Sequence, residues 1–140
     1  MSAENRDDWE LLARLFGRIS SFNREVEAAC GLSLVQIRLL NHLIDNPSST
    51  AIEVARGLEL HPSTLTPLLR RLSARGEVFQ TVDPLDARRK LLTVTKEGRE
   101  RLARGLARVG ELFGTGTRTR SALLLLDLQL SKLRAKFPGG

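Results

Sequence analysis

Residues 61–94 read HPSTLTPLLRRLSARGEVFQTVDPLDARRKLLTV, and this stretch decides the architecture. Its first half has helical spacing, with Leu65, Leu68 or Leu69, and Leu72 recurring every three or four residues. Pro62 stands in the first helical turn, where a missing N–H costs nothing. Pro67 falls inside the helix, offers no donor to the Ser63 carbonyl, and is expected to bend that turn. Gly76 is placed to end the helix in the left-handed conformation. Beyond it the period drops to two. Val78, Gln80 and Val82 alternate with Phe79 and Thr81, which predicts a strand. Asp83-Pro84 opens a turn, Leu85–Arg89 is expected as a polar, basic tip, and Lys90–Val94 as the returning strand.

Upstream, Thr50 with Glu53 forms a capping box that opens a short helix carrying Val54, Ala55 and Leu58. Glu59-Leu60-His61 joins it to the next helix. Tight helix–helix turns often place Gly where this chain has Glu59, so the turn must avoid positive φ there or accept strain. An earlier capping box, Ser33 with Gln36, is flanked by Leu32 and Ile37 as a hydrophobic staple. That helix carries Ile37, Leu40, Leu43 and Ile44, and Pro47 stops it near Asn46. The first helix is predicted over about 7–29, with Trp9, Leu12, Phe16, Ile19, Phe22 and Val26 as its stripe and Gly31 as its stop. Downstream, Thr95 caps a fifth helix with Leu102, Leu106, Val109 and Leu112. Gly105 and Gly110 each weaken that helix by ~1 kcal/mol against Ala. Gly114–Thr117 breaks it, and a last helix is expected over about 120–136. The order is α-α-α-α-β-β-α-α, mainly α with one small β-hairpin, and no internal repeat is present.

Charge is distributed unevenly. Residues 1–60 hold 6 Lys/Arg against 9 Asp/Glu, residues 61–104 hold 10 against 5, and residues 105–140 hold 6 against 2. An acidic front and a basic centre suit one surface that meets a polyanion, although a solvated basic face would read the same from charge alone. One cysteine and two histidines among 140 residues argue against a disulfide framework, a cysteine-rich zinc site or a metal-dependent hydrolase. No nucleophile–base pair, phosphate loop or carboxylate pair stands out, so no enzyme, cofactor or metal site is expected. The N-terminus MSAENRDDWE is acidic and polar, unlike a signal peptide, and no apolar run approaches a membrane span. A cytoplasmic protein is the expectation.

Two short helices joined by a tight turn, followed by a hairpin with basic residues, constitute a winged helix-turn-helix. The second helix of the pair exposes Ser63, Thr64 and Thr66 at its start, small groups that let it approach a major-groove floor. Arg70 and Arg71 lie one to two turns on, within reach of a guanine edge or a phosphate. Arg88, Arg89 and Lys90 are expected beyond the body of the domain, where they would enter an adjacent minor groove. His61 is read as a helix-entry residue or a phosphate contact, because an imidazole suits a capping role poorly.

The chain here resembles the multiple-antibiotic-resistance regulator (MarR) family of bacterial transcription factors. The likeness spans about residues 32–104, carried by Gly31–Gln36, by His61–Leu72 as recognition helix, and by Asp83–Gly98 as wing. The family's Asp-x-Arg wing motif is matched by Asp86 and Arg88. The resemblance implies that Asp86 braces the wing while Arg88 enters the minor groove. It also implies a homodimer on double-stranded DNA, repressing from a pseudo-palindrome until a small molecule or oxidant releases it. Thr64–Leu69 looks most like the organic-peroxide-sensing branch, yet that branch places a reactive cysteine early in the first helix beside tyrosines. Here Cys30 closes the helix and tyrosine is absent. A helix C-terminus opposes a thiolate, so Cys30 reads as a small hydrophobe.

Within residues 122–130 only Asp127 and Gln129 are polar, so the last helix is apolar nearly all round and calls for a second surface. A single domain over 1–140 is expected, with the winged core at 32–104 and dimerisation helices at 7–30 and 105–137. A winged-helix protein–protein interaction module is the alternative, and the basic Arg88-Arg89 pair speaks against it. The effector is not disclosed; family precedent places one near the first two helices, by Trp9, Phe16 or His42.

Overall fold

The computed structural model describes residues 2–114 and 116–136, the last three by backbone alone. Thr115 of the predicted break and residue 137 of the predicted dimerisation segment lie outside the described residues. The elements are α1 Ala3–Cys30, α2 Leu34–Asp45, α3 Ala51–Leu58, α4 Pro62–Ala74, β1 Val78–Asp83, β2 Asp86–Val94, α5 Lys96–Phe113 and α6 Thr117–Lys136. They form two compact units, Met1–Arg108 and Val109–Gly140.

In the first unit the helical stripes converge on one leucine-rich core. Leu39, Leu40 and Leu43 of α2 are buried with Val54 and Leu58 of α3 and with Leu65, Leu68, Leu69 and Leu72 of α4. Both Leu68 and Leu69 belong to it, so the buried stripe of α4 is wider than a minimal one. Val78, Leu92 and Val94 close the core from the hairpin, and Leu102 closes it from α5. The Leu92 N–H donates to the Ser49 carbonyl at 2.8 Å, which ties the root of the hairpin to the segment before α3. The α4 helix is thereby held between two neighbours, and only its polar face remains outside.

Both predicted capping boxes form, at Ser33/Gln36 and Thr50/Glu53. The turn after α3 takes the strained option. Glu59 adopts φ 56°, ψ 39°, a left-handed conformation that costs a non-glycine residue about 1–2 kcal/mol. Two hydrogen bonds of a Schellman closure offset it: Glu59 N–H to the Arg56 carbonyl at 3.2 Å and Leu60 N–H to the Ala55 carbonyl at 2.9 Å. Arg38 adds a guanidinium bond to the Leu58 carbonyl at 2.9 Å. The α4 end closes in the same way around Gly76, at φ 71°, as expected.

Three boundaries differ from the expectation. Helix α1 begins at Ala3, where Ser2 Oγ accepts from Asn5 N–H at 3.3 Å, and α6 begins at Thr117. More important, β2 starts at Asp86 rather than Lys90, so Arg88 and Arg89 lie on a strand and the loop is only Pro84-Leu85. Asp83 pairs with Asp86 and Val82 with Lys90, so Ala87, Arg88 and Arg89 bulge from β2. A charged run carries no period-two signal, and side-chain-to-backbone bonds hold it extended instead.

Cys30 is half-buried, and its thiol donates to the Val26 carbonyl at 3.1 Å, as suits a small residue closing a helix. Much of the predicted α1 stripe is exposed: Trp9, Leu12, Phe16 and Ile19 face outward, Phe22 is half-buried and Val26 is buried. In the second unit Leu123, Leu124, Leu125, Leu128, Leu130 and Leu133 of α6 are likewise exposed. Among the described residues no helix is long and apolar enough to cross a membrane.

Candidate nucleic-acid interface

The start of α4 is organised by a residue whose role the sequence misassigned. His61 is the N-cap: its Nδ1 accepts from Ser63 N–H at 3.1 Å and lies 2.6 Å from Ser63 Oγ. An imidazole can replace the usual Ser or Asp here because Nδ1 sits at the same reach as a short side-chain oxygen. Accepting at Nδ1 places the ring proton of the neutral form on Nε2, an exposed donor at the mouth of the helix.

Along α4, Ser63, Thr64, Thr66, Pro67, Arg70 and Arg71 are all exposed, while Leu65, Leu68, Leu69 and Leu72 face inward. Thr66 spends its hydroxyl proton on the Pro62 carbonyl at 2.9 Å and so offers only acceptor lone pairs and a methyl outward. The helix continues through Pro67 to Ala74.

The hairpin supplies the second part. Asp86 Oδ1 accepts from Arg88 N–H at 3.0 Å and from Arg88 Nε at 3.2 Å. One carboxylate thus shapes the bulge and aims the guanidinium, which remains 92% exposed. The Arg88 backbone N–H first, and its side chain second, hold the Asp86 carboxyl below its ordinary pKa. The predicted bracing contact between Asp86 and Arg88 is therefore present.

Arg89 behaves differently from its neighbour. Its Nη2 lies 2.8 Å from Glu53 Oε1 and its Nε 3.7 Å from Asp83 Oδ2. It does not project beyond the body of the domain; it folds back and pins the wing to the start of α3. Sequence reasoning could not see this pair, because the partners are far apart in the chain. Lys90 is exposed, and a surface depression near it is lined by Thr50, Glu53, Arg56, Arg88 and Arg89. Arg56 thereby joins the basic cluster, an addition that spacing alone did not suggest.

A further pair supports the root of the wing. Glu77, 1% exposed, pairs with Arg101 Nε from α5, and Arg101 Nη1 also reaches the Cys30 carbonyl at 3.4 Å. Breaking a buried pair by removing one partner leaves an uncompensated charge, so this contact ties the end of α1 and the residue leading into β1 to α5. Trp9 and Phe16 stand exposed, whereas the His42 ring is packed so closely on Gly57 that a Cβ there would sit 2.5 Å from Cε1. Among the described residues no cluster of three or more metal-ligating side chains is present.

This geometry meets the comparisons with known proteins. The MarR family profile matches residues 31–89, the segment from the end of α1 into the wing. Over that segment the chain resembles the MarR family. Among solved structures it is similar to the transcriptional repressor CouR bound to a 23-mer DNA duplex, at 28% identity, TM-score 0.70, and coverage of 86% of this chain and 89% of that one. It is also similar to a MepR-like protein complexed with pseudoligands, at 25% identity, TM-score 0.69, and coverage of 91% and 94%. The overoxidized AbfR bound to DNA shares the fold at 22% identity, TM-score 0.73, and coverage of 93% and 96%. No curated protein matches the sequence significantly. MarR proteins are transcription regulators, and the winged helix-turn-helix expected from the sequence is their fold.

Proposed function

We propose that this chain is a MarR-type, sequence-specific regulator that binds double-stranded DNA as a homodimer. In this reading it represses from a pseudo-palindromic operator and is released by a small-molecule effector. The observation that carries the reading is the pairing of two prepared elements in one unit. The polar face of α4, capped by His61, presents Ser63, Thr64, Thr66, Arg70 and Arg71; the wing presents Arg88, aimed by Asp86. The first suits a major groove, where donor and acceptor patterns differ for every base pair. The second suits a narrow minor groove, whose negative potential attracts an inserted guanidinium. Arg89 supports the wing rather than the DNA, and Lys90 adds a phosphate contact.

A repressor bound to DNA and a relative holding pseudoligands are the similar structures that favour operator binding and effector release. Exposed apolar stripes on α1 and α6 favour the homodimer, because patches of that size are otherwise rare on isolated soluble proteins. The test is selection of duplexes from a random pool by the full chain. Enriched sites should be pseudo-palindromes with half-sites about one helical turn apart. Absence of enrichment, or full-affinity protection of one isolated half-site, would refute the proposal.

A further inference from the structure

The tip of the wing carries an apolar residue where hairpin loops are ordinarily polar. Leu85 is 95% exposed, the most exposed large hydrophobic side chain among the described residues. A single exposed leucine is common on protein surfaces. This one is distinguished by how firmly its surroundings hold it and by what they do with charge. Pro84 fixes its own φ, the Leu85 N–H donates to Asp83 Oδ1 at 2.9 Å, and beyond the leucine Asp86 Oδ1 accepts from Arg88 N–H at 3.0 Å, so the loop is restrained on both sides of the leucine.

The two carboxylates that flank the loop are both occupied. Asp86 is paired with Arg88, and Asp83 accepts from Leu85 N–H and lies 3.7 Å from Arg89 Nε. Their negative charge is therefore offset locally, leaving a tip that shows one apolar side chain beside one outward guanidinium. A hydrophobic wedge next to a cation is complementary to a minor groove, with phosphates along its rims and sugar and base edges within. It fits poorly against open water or a basic protein surface.

We propose that Leu85 is a specificity-determining residue of the wing, entering the minor groove beside Arg88 and selecting A·T over G·C pairs there. The inference rests on the DNA-binding function proposed above. Its physical basis is the guanine N2 amino group, the one donor that a G·C pair adds to the minor-groove floor. A leucine side chain seated over that floor displaces water and offers the amino group no acceptor. The stranded donor then costs roughly what any buried unpaired polar group costs. A·T pairs present only acceptors without a projecting amino group and accept the apolar cover more readily. Arg88 also favours narrow A·T-rich grooves, through their potential. The two effects are separable because only one of them disappears with Leu85.

The experiment uses the full chain and a duplex selected from a random pool, with wing contacts located by hydroxyl-radical footprinting. One A·T pair under one wing is replaced by G·C or by I·C, since inosine lacks the N2 amino group. The wild-type protein should bind the G·C duplex about tenfold more weakly and the I·C duplex within about twofold of the parent, as expected for one stranded donor. Leu85→Ala should bind A·T and G·C duplexes within about twofold of each other, and Leu85→Met should restore discrimination. Thermal unfolding of both variants should match wild type, because the side chain packs against nothing. Discrimination that persists in Leu85→Ala would assign it to groove width and Arg88, and would overturn the role of Leu85 alone. Failure of the wild type to select any duplex would overturn the DNA-binding function and this inference with it.

Discussion

Replacing Gly98 by alanine pits helix propensity against packing at the root of the wing. In an open helix position the change stabilises by ~1 kcal/mol. Gly98 is not open. A Cβ built there lies 2.3 Å from the Glu77 carbonyl oxygen and 2.8 Å from Val94 Cγ1. The first neighbour is backbone, and the same oxygen accepts from Thr95 N–H at 3.0 Å, so it cannot retreat without loosening the start of α5. Overpacking of this kind costs ~1–3 kcal/mol, and a weakened Thr95 bond adds ~1 kcal/mol. After the propensity gain, Gly98→Ala should destabilise the protein by about 1–3 kcal/mol. Gly17→Ala supplies the control: nothing lies within 4 Å of its added Cβ, and it points away from the Trp9–Val26 stripe. That variant should gain roughly 0.5–1 kcal/mol. Urea titrations at one protein concentration would compare the two midpoints with wild type. If Gly98→Ala proved as stable as Gly17→Ala, the close approach of α5 to the Glu77 carbonyl would be refuted, together with the rigid seating of the hairpin.

Four further outcomes are expected. Arg88→Ala should weaken binding to every duplex and reduce the slope of log affinity against log salt by about one, whereas Arg70→Ala should narrow the gap between cognate and scrambled sites by ~1–3 kcal/mol. Salt titrations of both variants on both duplexes decide it, and an unchanged Arg88→Ala slope would remove the wing from the DNA. Asp86, whose carboxyl is held low by the Arg88 backbone N–H and then its side chain, should titrate higher in Arg88→Ala but still below an ordinary aspartate, because the backbone donor survives. A folded-state value below the unfolded one means that the brace contributes above the ordinary carboxylate pKa and is lost as pH falls through the folded value, so NMR titration in the acid range is the measurement. His61→Ala should cost ~1 kcal/mol by uncapping α4, and His61→Asn should recover most of it in thermal unfolding. Deleting residues 119–140 should give aggregated or unfolded protein; a soluble, folded monomer by sedimentation would defeat the proposed dimer.

Much of the architecture was legible because its signals are local. The Ser33 and Thr50 capping boxes, the left-handed Gly76, the leucine spacing of α4 and the change of period at Val78 each arise within a few residues, and the structure reproduces them. Asp86 and Arg88 are two residues apart, so their contact was also within reach of a sequence pattern. The Glu59 alternative was posed by the sequence but decided by tertiary structure, since the Arg38 bond to Leu58 and the burial of Leu58 hold the turn in its strained form.

What the sequence by itself determined was which residues form helices, which form the hairpin, and which face of α4 is polar. Those follow from periodicity and caps, whose partners lie one turn away. Only the tertiary structure separated Arg88 from Arg89, adjacent residues with identical side chains and opposite employment. Glu53 precedes Arg89 by 36 residues and Glu77 precedes Arg101 by 24, and an ion pair leaves no periodic trace across such gaps. Likewise, a leucine in a charged run reads as ordinary until the fold shows Asp83 and Asp86 each engaged by an arginine and Leu85 left exposed at the tip beside Arg88. Local chemistry specifies elements; the direction in which a charge or a methyl group finally points depends on which distant partner reaches it first.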